Sequence, residues 1–357
     1  MRKIAFICGP ALGHVSRLLS IAESLSREGG TKITFITPDH GSHAFPLLKG
    51  KYDVIGVPVA KAALSLPAGE FGAGLEQHFA SHGYDAIVQD LCPLRWMSAV
   101  RLPDCPRVVV TNFFLTARFG ADTVQTDWFR TIRGQVNDWR RQRGLSAIQS
   151  AFELYEADRV LLADPPGLIC GMAELPSAYR LCGPCAWTPD GDLPASVSEL
   201  DRLLLVTLGS TGKRMFSAGV MEALKEWAGC GASLFAGGNG GDYLRKGIVD
   251  HAHPWLPLEP VLARSRLVVT QGGAGSTYMA LAAGLPVIVL PGHRNHEIMG
   301  EVLQAAGCGL CGDPSDMAAE LSRYSFDEMS AKAREIARPL AEIDGPGRAA
   351  DEIVDLL

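Results

Sequence analysis

The first residues suited to chemistry stand near the start of the chain. Gly9-Pro-Ala-Leu-Gly13-His14-Val-Ser-Arg17 follows directly on the apolar run from Ile4 to Cys8. Glycines let a backbone turn sharply and approach a ligand closely. A histidine in that turn lies at the carboxyl end of a predicted strand, where open α/β sheets bind ligands. There an imidazole can take a proton from a hydroxyl near neutral pH. His14 reads equally as a cap on the helix that follows. Asp90 ends a second run, Asp85-Ala-Ile-Val-Gln-Asp90. A carboxylate beside a base fixes its tautomer and stabilises the imidazolium; an N-cap on a helix beginning near Leu94 is the other reading. The third motif is Thr270-Gln-Gly-Gly-Ala-Gly-Ser-Thr277, between a predicted strand and helix. Its glycines and hydroxyls at a helix N-terminus predict an anion cradle of free N–H groups. No Lys follows the glycines, so it is not a P-loop, and the Gly9–Gly13 spacing is not the dinucleotide fingerprint. Pro291-Gly-His-Arg-Asn-His-Glu297 follows the next strand and opens a helix toward the same cleft.

The elements that must hold these groups alternate strand and helix. Strands are predicted at 4–8, 32–36, 54–57, 85–89, 107–110 and 159–163, then at 203–208, 232–236, 267–270 and 286–290. Helices are predicted at 15–27, 94–100, 124–143, 217–227, 275–283 and 297–306. This alternation gives an α/β protein with parallel sheets covered on both faces. Runs such as Val287-Ile-Val-Leu290 fit strands buried on both sides. Gly, Pro and Asp gather between Cys182 and Pro194, and a fresh strand begins at Leu203. We therefore expect two doubly wound, Rossmann-like domains with an interdomain cleft. Their expected bounds are 1–185, a linker at 186–200, and 201–342, with a helix at 343–357 packing back on the first domain.

Composition excludes several classes. Lys plus Arg is 33 against 39 Asp plus Glu, a net charge of −6 that disfavours a broad nucleic-acid surface. No apolar run approaches the ~18 residues of a membrane span. Arg2 and Lys3 precede an apolar run, but Gly9-Pro10 follows at once without a cleavage site. A buried first strand and a cytoplasmic protein are expected. Nine scattered cysteines fit a reduced compartment, not a disulfide scaffold. Cys182-Gly-Pro-Cys185 and Cys308-Gly-Leu-Cys311 have redox or zinc-pair spacing, but small apolar residues are the simpler reading. The histidines form no ligand set, and no metal is expected.

Taken together, these residues resemble the two-domain nucleotide-sugar glycosyltransferases of GT-B fold, and most of all the family 1 (UDP/TDP) type that acts on natural products. The resemblance is carried by Gly13-His14, Leu208-Gly-Ser210, Pro254-Trp-Leu-Pro257 with Val261-Leu262, Thr270-Gln-Gly-Gly through Gly284-Leu-Pro286, and Gly183-Pro184. Asn137 to Leu145, with Arg141, Gly144 and Leu145, is similar to the family's N-R-G-L helix end. The resemblance implies an inverting, metal-independent hexosyl transfer from a UDP- or dTDP-type sugar to a hydroxyl of a small natural product. It implies His14 as base and Asp90 as its partner. Ser210, Thr211, Trp255, Gln271, Gly272, Gly273, Gly275, Ser276, Thr277, Asn295 and His296 would bind the donor. Gly13, Phe113 and Phe114 would bind the acceptor. The aromatic and arginine-rich stretch 111–143 reads as an acceptor pocket or as a helix with a solvated basic face. Arg17 reads equally as a cleft or a helix-surface residue.

Five positions depart from the family pattern. Gln271 replaces the usual His, Leu258 the usual Gln, Met279 the Glu that holds the ribose, and Asn295-His296 the usual Asp-Gln pair. A thioether cannot hold ribose hydroxyls. Two other functions are carried alongside. Gly13-His14-Val-Ser-Arg17 also resembles the G-H-x-x-R turn of nucleotide-sugar hydrolases, in which water is the acceptor. The lost ribose carboxylate motivates a non-catalytic scaffold of the same fold.

Overall fold

The strands are apolar along their length because both faces are covered. Every residue of β4 (Ala86–Asp90) is buried, as is every residue of β8 (Leu203–Thr207). The structure, a computed structural model, describes the chain except residues 40–41, 60–67, 91–96, 113–126, 150, 169–175 and 210–215. It divides into two units: Met1–Cys185 with Asp344–Leu357, and Ala186–Ile343.

The first unit holds a seven-stranded sheet in the order β3-β2-β1-β4-β5-β6-β7. Its members are β1 (Arg2–Ile7), β2 (Thr31–Pro38), β3 (Asp53–Val57), β4, β5 (Arg107–Thr111), β6 (Arg159–Leu162) and β7 (Tyr179–Leu181). The second unit holds β8, β9 (Ala232–Ala236), β10 (His251–His253), β11 (Ser265–Thr270), β12 (Val287–Val289) and β13 (Gly309–Cys311). Their order is β10-β9-β8-β11-β12-β13. All the pairs are parallel. Each sheet therefore reverses its winding once, between β1 and β4 and between β8 and β11. Such a switch point leaves a crevice at the strands' carboxyl ends.

Both switch points carry the motifs. Ile7 is level with Gln89, so the turn after β1 stands beside Asp90. Thr207 is level with Thr270, so the Leu208-Gly209 turn stands beside the glycine run. Gly209 takes a left-handed φ of 66° there.

Helix Leu12–Glu28 carries His14 on its first turn and buries Val15, Leu18, Leu19, Ile21, Ala22 and Leu25. Helix Gly345–Val354 packs on it. Ala349, Ala350 and Ile353 of that helix have no exposure. Glu352 ties it further to Arg159 at 3.0 Å and to Arg180 at 3.6 Å. Gly345 lies so close to Gly183-Pro184 that a Cβ there would stand 2.3 Å from the Pro184 carbonyl oxygen.

Three strands escape the sequence reading: β7, β10 and β13. Each has three residues, and each is an edge strand. Tyr-Arg-Leu, His-Ala-His and Gly-Leu-Cys carry no apolar run. Of the predicted helix at 94–100, residues 94–96 lie outside the described residues; residue 97 is helical and 98–99 form a turn, so the predicted helix does not extend to 100.

Helix Asp127–Gln142 ends as the resemblance suggests. Gly144 adopts φ 68°, and Leu145 N–H returns to the Arg140 carbonyl at 2.9 Å, a Schellman closure. Asn137 exchanges two hydrogen bonds with the Ile148 backbone, at 2.8 and 3.0 Å. Three arginines in or just after this helix are fastened, while Arg141 is exposed beside Asp138. Arg140 donates to the Ser98 and Ser146 carbonyls, Arg133 donates to Gln149, and Arg143 pairs with Glu76.

If Gly345–Val354 belongs to the first unit's core, Ile353→Ala should lower unfolding free energy by about 2–5 kcal/mol. Chemical denaturation of the two chains checks this.

Candidate functional site

In the first unit, polar groups form a row across the carboxyl ends of four neighbouring strands. His14 follows β1, Asp90 ends β4, Asn112 follows β5, and Asp164 stands two residues beyond β6. Asp90 has no exposure, while the His14 side chain is about a quarter exposed, at 25%. Nδ1 of His14 hydrogen-bonds Oδ1 of Asp90. An ionised carboxylate only accepts, so Nδ1 carries the proton and Nε2 is left as the basic nitrogen.

The other Asp90 oxygen, Oδ2, is 2.9 Å from Nε of Arg17. Arg17 is buried, and its NH1 donates to Oδ1 of Asn112 at 2.6 Å. Asn112 Nδ2 donates in turn to Asp164 Oδ1 at 3.0 Å and to the Ala163 carbonyl at 3.1 Å. Arg17 is thus an inward residue, one helical turn from His14. Sequence reasoning missed Asn112 and Asp164. Their signal was a polar residue closing an apolar strand, the same signal that found Asp90.

In the second unit, helix Ala274–Ala282 starts from Gly273 without a side-chain cap. Its first N–H groups and its positive dipole end are open to an anion. A Cβ at Gly273 or Gly275 would meet nothing within 4 Å, so both glycines border free space. Gly272 differs. It has φ 92°, and a Cβ there would stand 2.9 Å from the His296 carbonyl oxygen and 3.0 Å from Val289. Only glycine lets these two turns pass. Thr270 Oγ1 accepts the Gly272 N–H at 2.8 Å and lies 3.3 Å from Thr277 Oγ1. Thr277 is fully buried and shapes the turn from within.

Gln271, His296 and the 292 turn meet here. A Cβ at Gly292 would lie 3.6 Å from His296 Nδ1 and 3.8 Å from Gln271 Nε2. Gly292 N–H donates to His296 Nδ1 at 3.3 Å, which leaves Nε2 of the neutral ring as a donor. The His293 and His296 rings lie 3.6 Å apart between centroids. Burial and the neighbouring His293 push the His296 pKa down to about 4. Asn295 and Ser276 are partly buried, and Trp255 is 48% exposed. Ser210, Thr211, Phe113 and Phe114 lie outside the described residues.

Residues 248–342 match the family model of the erythromycin biosynthesis protein CIII-like C-terminal domain. A PGL/p-HBAD biosynthesis glycosyltransferase of Mycobacterium tuberculosis is 33% identical over 222 residues, covering 59% of this chain and 50% of the relative. The chain spans about half the length of the curated relatives it matches. Over 99% of both chains, the kitacinnamycin glycosyltransferase superposes with a TM-score of 0.75 at 19% identity. The glycosyltransferase SsfS6 of Streptomyces sp. SF2575, complexed with thymidine diphosphate, superposes with a TM-score of 0.73 at 16% identity, over 99% of this chain and 100% of its own. The chain has the GT-B fold and is related to nucleotide-sugar glycosyltransferases.

The cysteine motifs of this GT-B chain lie in structural places. Cys182 follows β7 with no helix starting there, and its Sγ lies 4.0 Å from Cys185 Sγ. The hydrogen bond with Cys185 and burial push the Cys182 thiol up, away from thiolate chemistry. Cys308 is raised to about 12 by burial. Among the described residues, no three His, Cys, Asp or Glu side chains converge as a metal site, and no helix is long and apolar enough to cross a membrane.

His296 yields a pH prediction. Its folded pKa of about 4 lies below the usual 6.5. The unfolded chain therefore binds a proton first as pH falls. Stability contributed by the neutral ring is complete above about 6.5 and is lost as pH falls toward about 4. Between pH 7 and pH 4.5, His296→Gln should lose less stability than the parent, read from urea midpoints.

Proposed function

We propose that the chain is an inverting glycosyltransferase that moves a sugar from a nucleoside diphosphate sugar to a hydroxyl of a small molecule, with no metal required. One observation carries this reading: the part-exposed His14 ring is held at Nδ1 by the fully buried Asp90, with Nε2 left as the base. The acceptor O–H gives its proton to Nε2 as its oxygen bonds to the anomeric carbon. The bond from that carbon to the diphosphate breaks, and the electron pair leaves with the phosphate oxygen. A single displacement inverts the anomeric centre. Asp90 stabilises the imidazolium as it forms.

The leaving diphosphate is anionic. The open N–H groups before and within the first turn of Ala274–Ala282 supply charge stabilisation without a cation. Gly273, Gly275 and Ser276 border that space, and Gly272 lets His296 approach it. We assign Gln271, Asn295 and His296 to the donor's polar groups and Trp255 to the flank of its base. Met279 offers no carboxylate to the ribose, so a dTDP-type donor fits as readily as a UDP type. The thymidine diphosphate bound by SsfS6 supports that assignment. The acceptor class follows the natural-product context of the matched family and remains part of the proposal, as do the roles of Gly13, Phe113 and Phe114.

A second reading, sugar-nucleotide hydrolysis by water, is favoured by Arg17 at the third position after His14. The two readings part on the product: glycosylated acceptor or free sugar.

His14→Ala should cost ~10²–10⁴ in transfer rate and leave donor affinity close to the parent's. Chromatography of acceptor, product and free sugar checks this, and parental transfer by the variant overturns the base assignment. Gly275→Val places two methyls in open space on a helix that accepts them. It should retain the fold and weaken nucleoside diphosphate binding more than tenfold, about 1.4 kcal/mol by calorimetry. Affinity within about threefold of the parent rejects the cradle.

A further inference from the structure

We infer that Arg17 is a positioning residue for the His14–Asp90 pair, anchored from behind by Asn112 and Asp164. The inference rests on the reading of His14 as base and adds the machinery that aims it.

A carboxylate has two oxygens and can rotate. Asp90 uses Oδ1 for His14 and presents Oδ2 to Arg17 Nε at 2.9 Å. The planar guanidinium offers Nε and NH1 in a fixed fork, and here the fork is divided. Nε stands against Asp90 Oδ2 as a charge contact outside hydrogen-bond alignment, while NH1 donates to the Asn112 amide oxygen at 2.6 Å. Rotation of the Asp90 carboxylate away from His14 would break the Arg17 contact, and movement of Arg17 would break the Asn112 contact.

Asn112 is oriented in its turn. Its Nδ2 has two acceptors, Asp164 Oδ1 at 3.0 Å and the Ala163 carbonyl at 3.1 Å, so its oxygen must face Arg17. Arg17, Asp90, Asn112 and Asp164 are all buried, the most exposed at 8%. The charge contact of Arg17 with Asp90, backed by hydrogen bonds from Arg17 to Asn112 and from Asn112 to Asp164, restricts the carboxylate from the side away from His14. The beneficiary is the proton on His14 Nδ1. While Asp90 is held as an acceptor, that proton stays on Nδ1 and Nε2 stays the basic nitrogen. Arg17 touches Asp90 and Asn112 rather than the reacting atoms, so its effect reaches the reaction through another residue.

Three chains test this: Arg17→Met, Arg17→Lys and Asn112→Leu, with melting curves for each. Long-range ¹⁵N spectra of the free protein, with His14 assigned by His14→Gln, report which ring nitrogen carries the proton. The parent is expected to show the Nδ1–H form alone. Arg17→Met should bring the Nε2–H form to a comparable population and lower kcat at least tenfold, with donor KM within twofold. Arg17→Lys restores the charge without the fork and should recover at least threefold of the lost kcat. If Arg17→Met does not fold, Asn112→Leu, which keeps the guanidinium but frees NH1, should mix the tautomers in the same way. A parental spectrum and kcat in the folded variants overturns the inference. Because the spectrum needs no sugar nucleotide, mixed tautomers in a chain with no transfer activity uphold the positioning role while the transferase reading fails.

Discussion

A carboxylate with no exposure must be compensated, and Asp90 is the residue around which the first unit is arranged. Its partners, His14 and Arg17, come from the first two turns of one helix. Pairing both with a strand-end carboxylate fixes how far that helix is rotated and how near it begins to the sheet. The Gly9–Gly13 turn follows from this, since the chain must leave β1 and enter the helix within a few residues. The charge is then shared along a row of neighbouring strand ends rather than left on one contact. The cost of burying these groups is offset only while the row is complete.

The second unit meets a different constraint at the same place in its winding. Among the described residues, its switch point carries no buried ion pair but a backbone approach. Residue 272 must pass the carbonyl of His296 at a distance that no side chain permits. One crevice thus presents a part-exposed imidazole on a buried carboxylate and the other gives close access to the backbone. The same strand order serves both, because a parallel sheet that reverses its winding always leaves its carboxyl ends open at that point.

Most of the central strands were legible in the sequence, because β-branched runs buried on both faces have no other soluble explanation. His14, Asp90 and the glycine run were legible for a related reason: each interrupts or closes such a run. The edge strands were not, since three residues with one open side need no apolar pattern. Helices Pro314–Leu321 and Phe326–Leu340 were passed over because their charged surfaces mask a narrow buried stripe. Arg17 was ambiguous on sequence alone. Its helical spacing allows either face, and only the carboxylate of a strand 73 positions later decides between them. The arginine-rich stretch 111–143 allowed an acceptor pocket or a solvated basic face. Arg133, Arg140 and Arg143 are instead held by backbone carbonyls and by Glu76, partners that no local pattern announces, while Arg141 stays exposed.

The first unit is discontinuous in the chain: its last segment, Asp344–Leu357, arrives only after the whole of Ala186–Ile343. A ribosome makes protein in one direction. The helix bearing His14 is therefore synthesised early and lacks its packing neighbour until Gly345–Val354 has been made. The second unit, continuous in sequence, can complete its core while the first still lacks the helix that packs on Leu12–Glu28. Maturation thus departs from numbering: the intervening unit can complete its core before the segment that joins the first unit from residue 344 onward has been made.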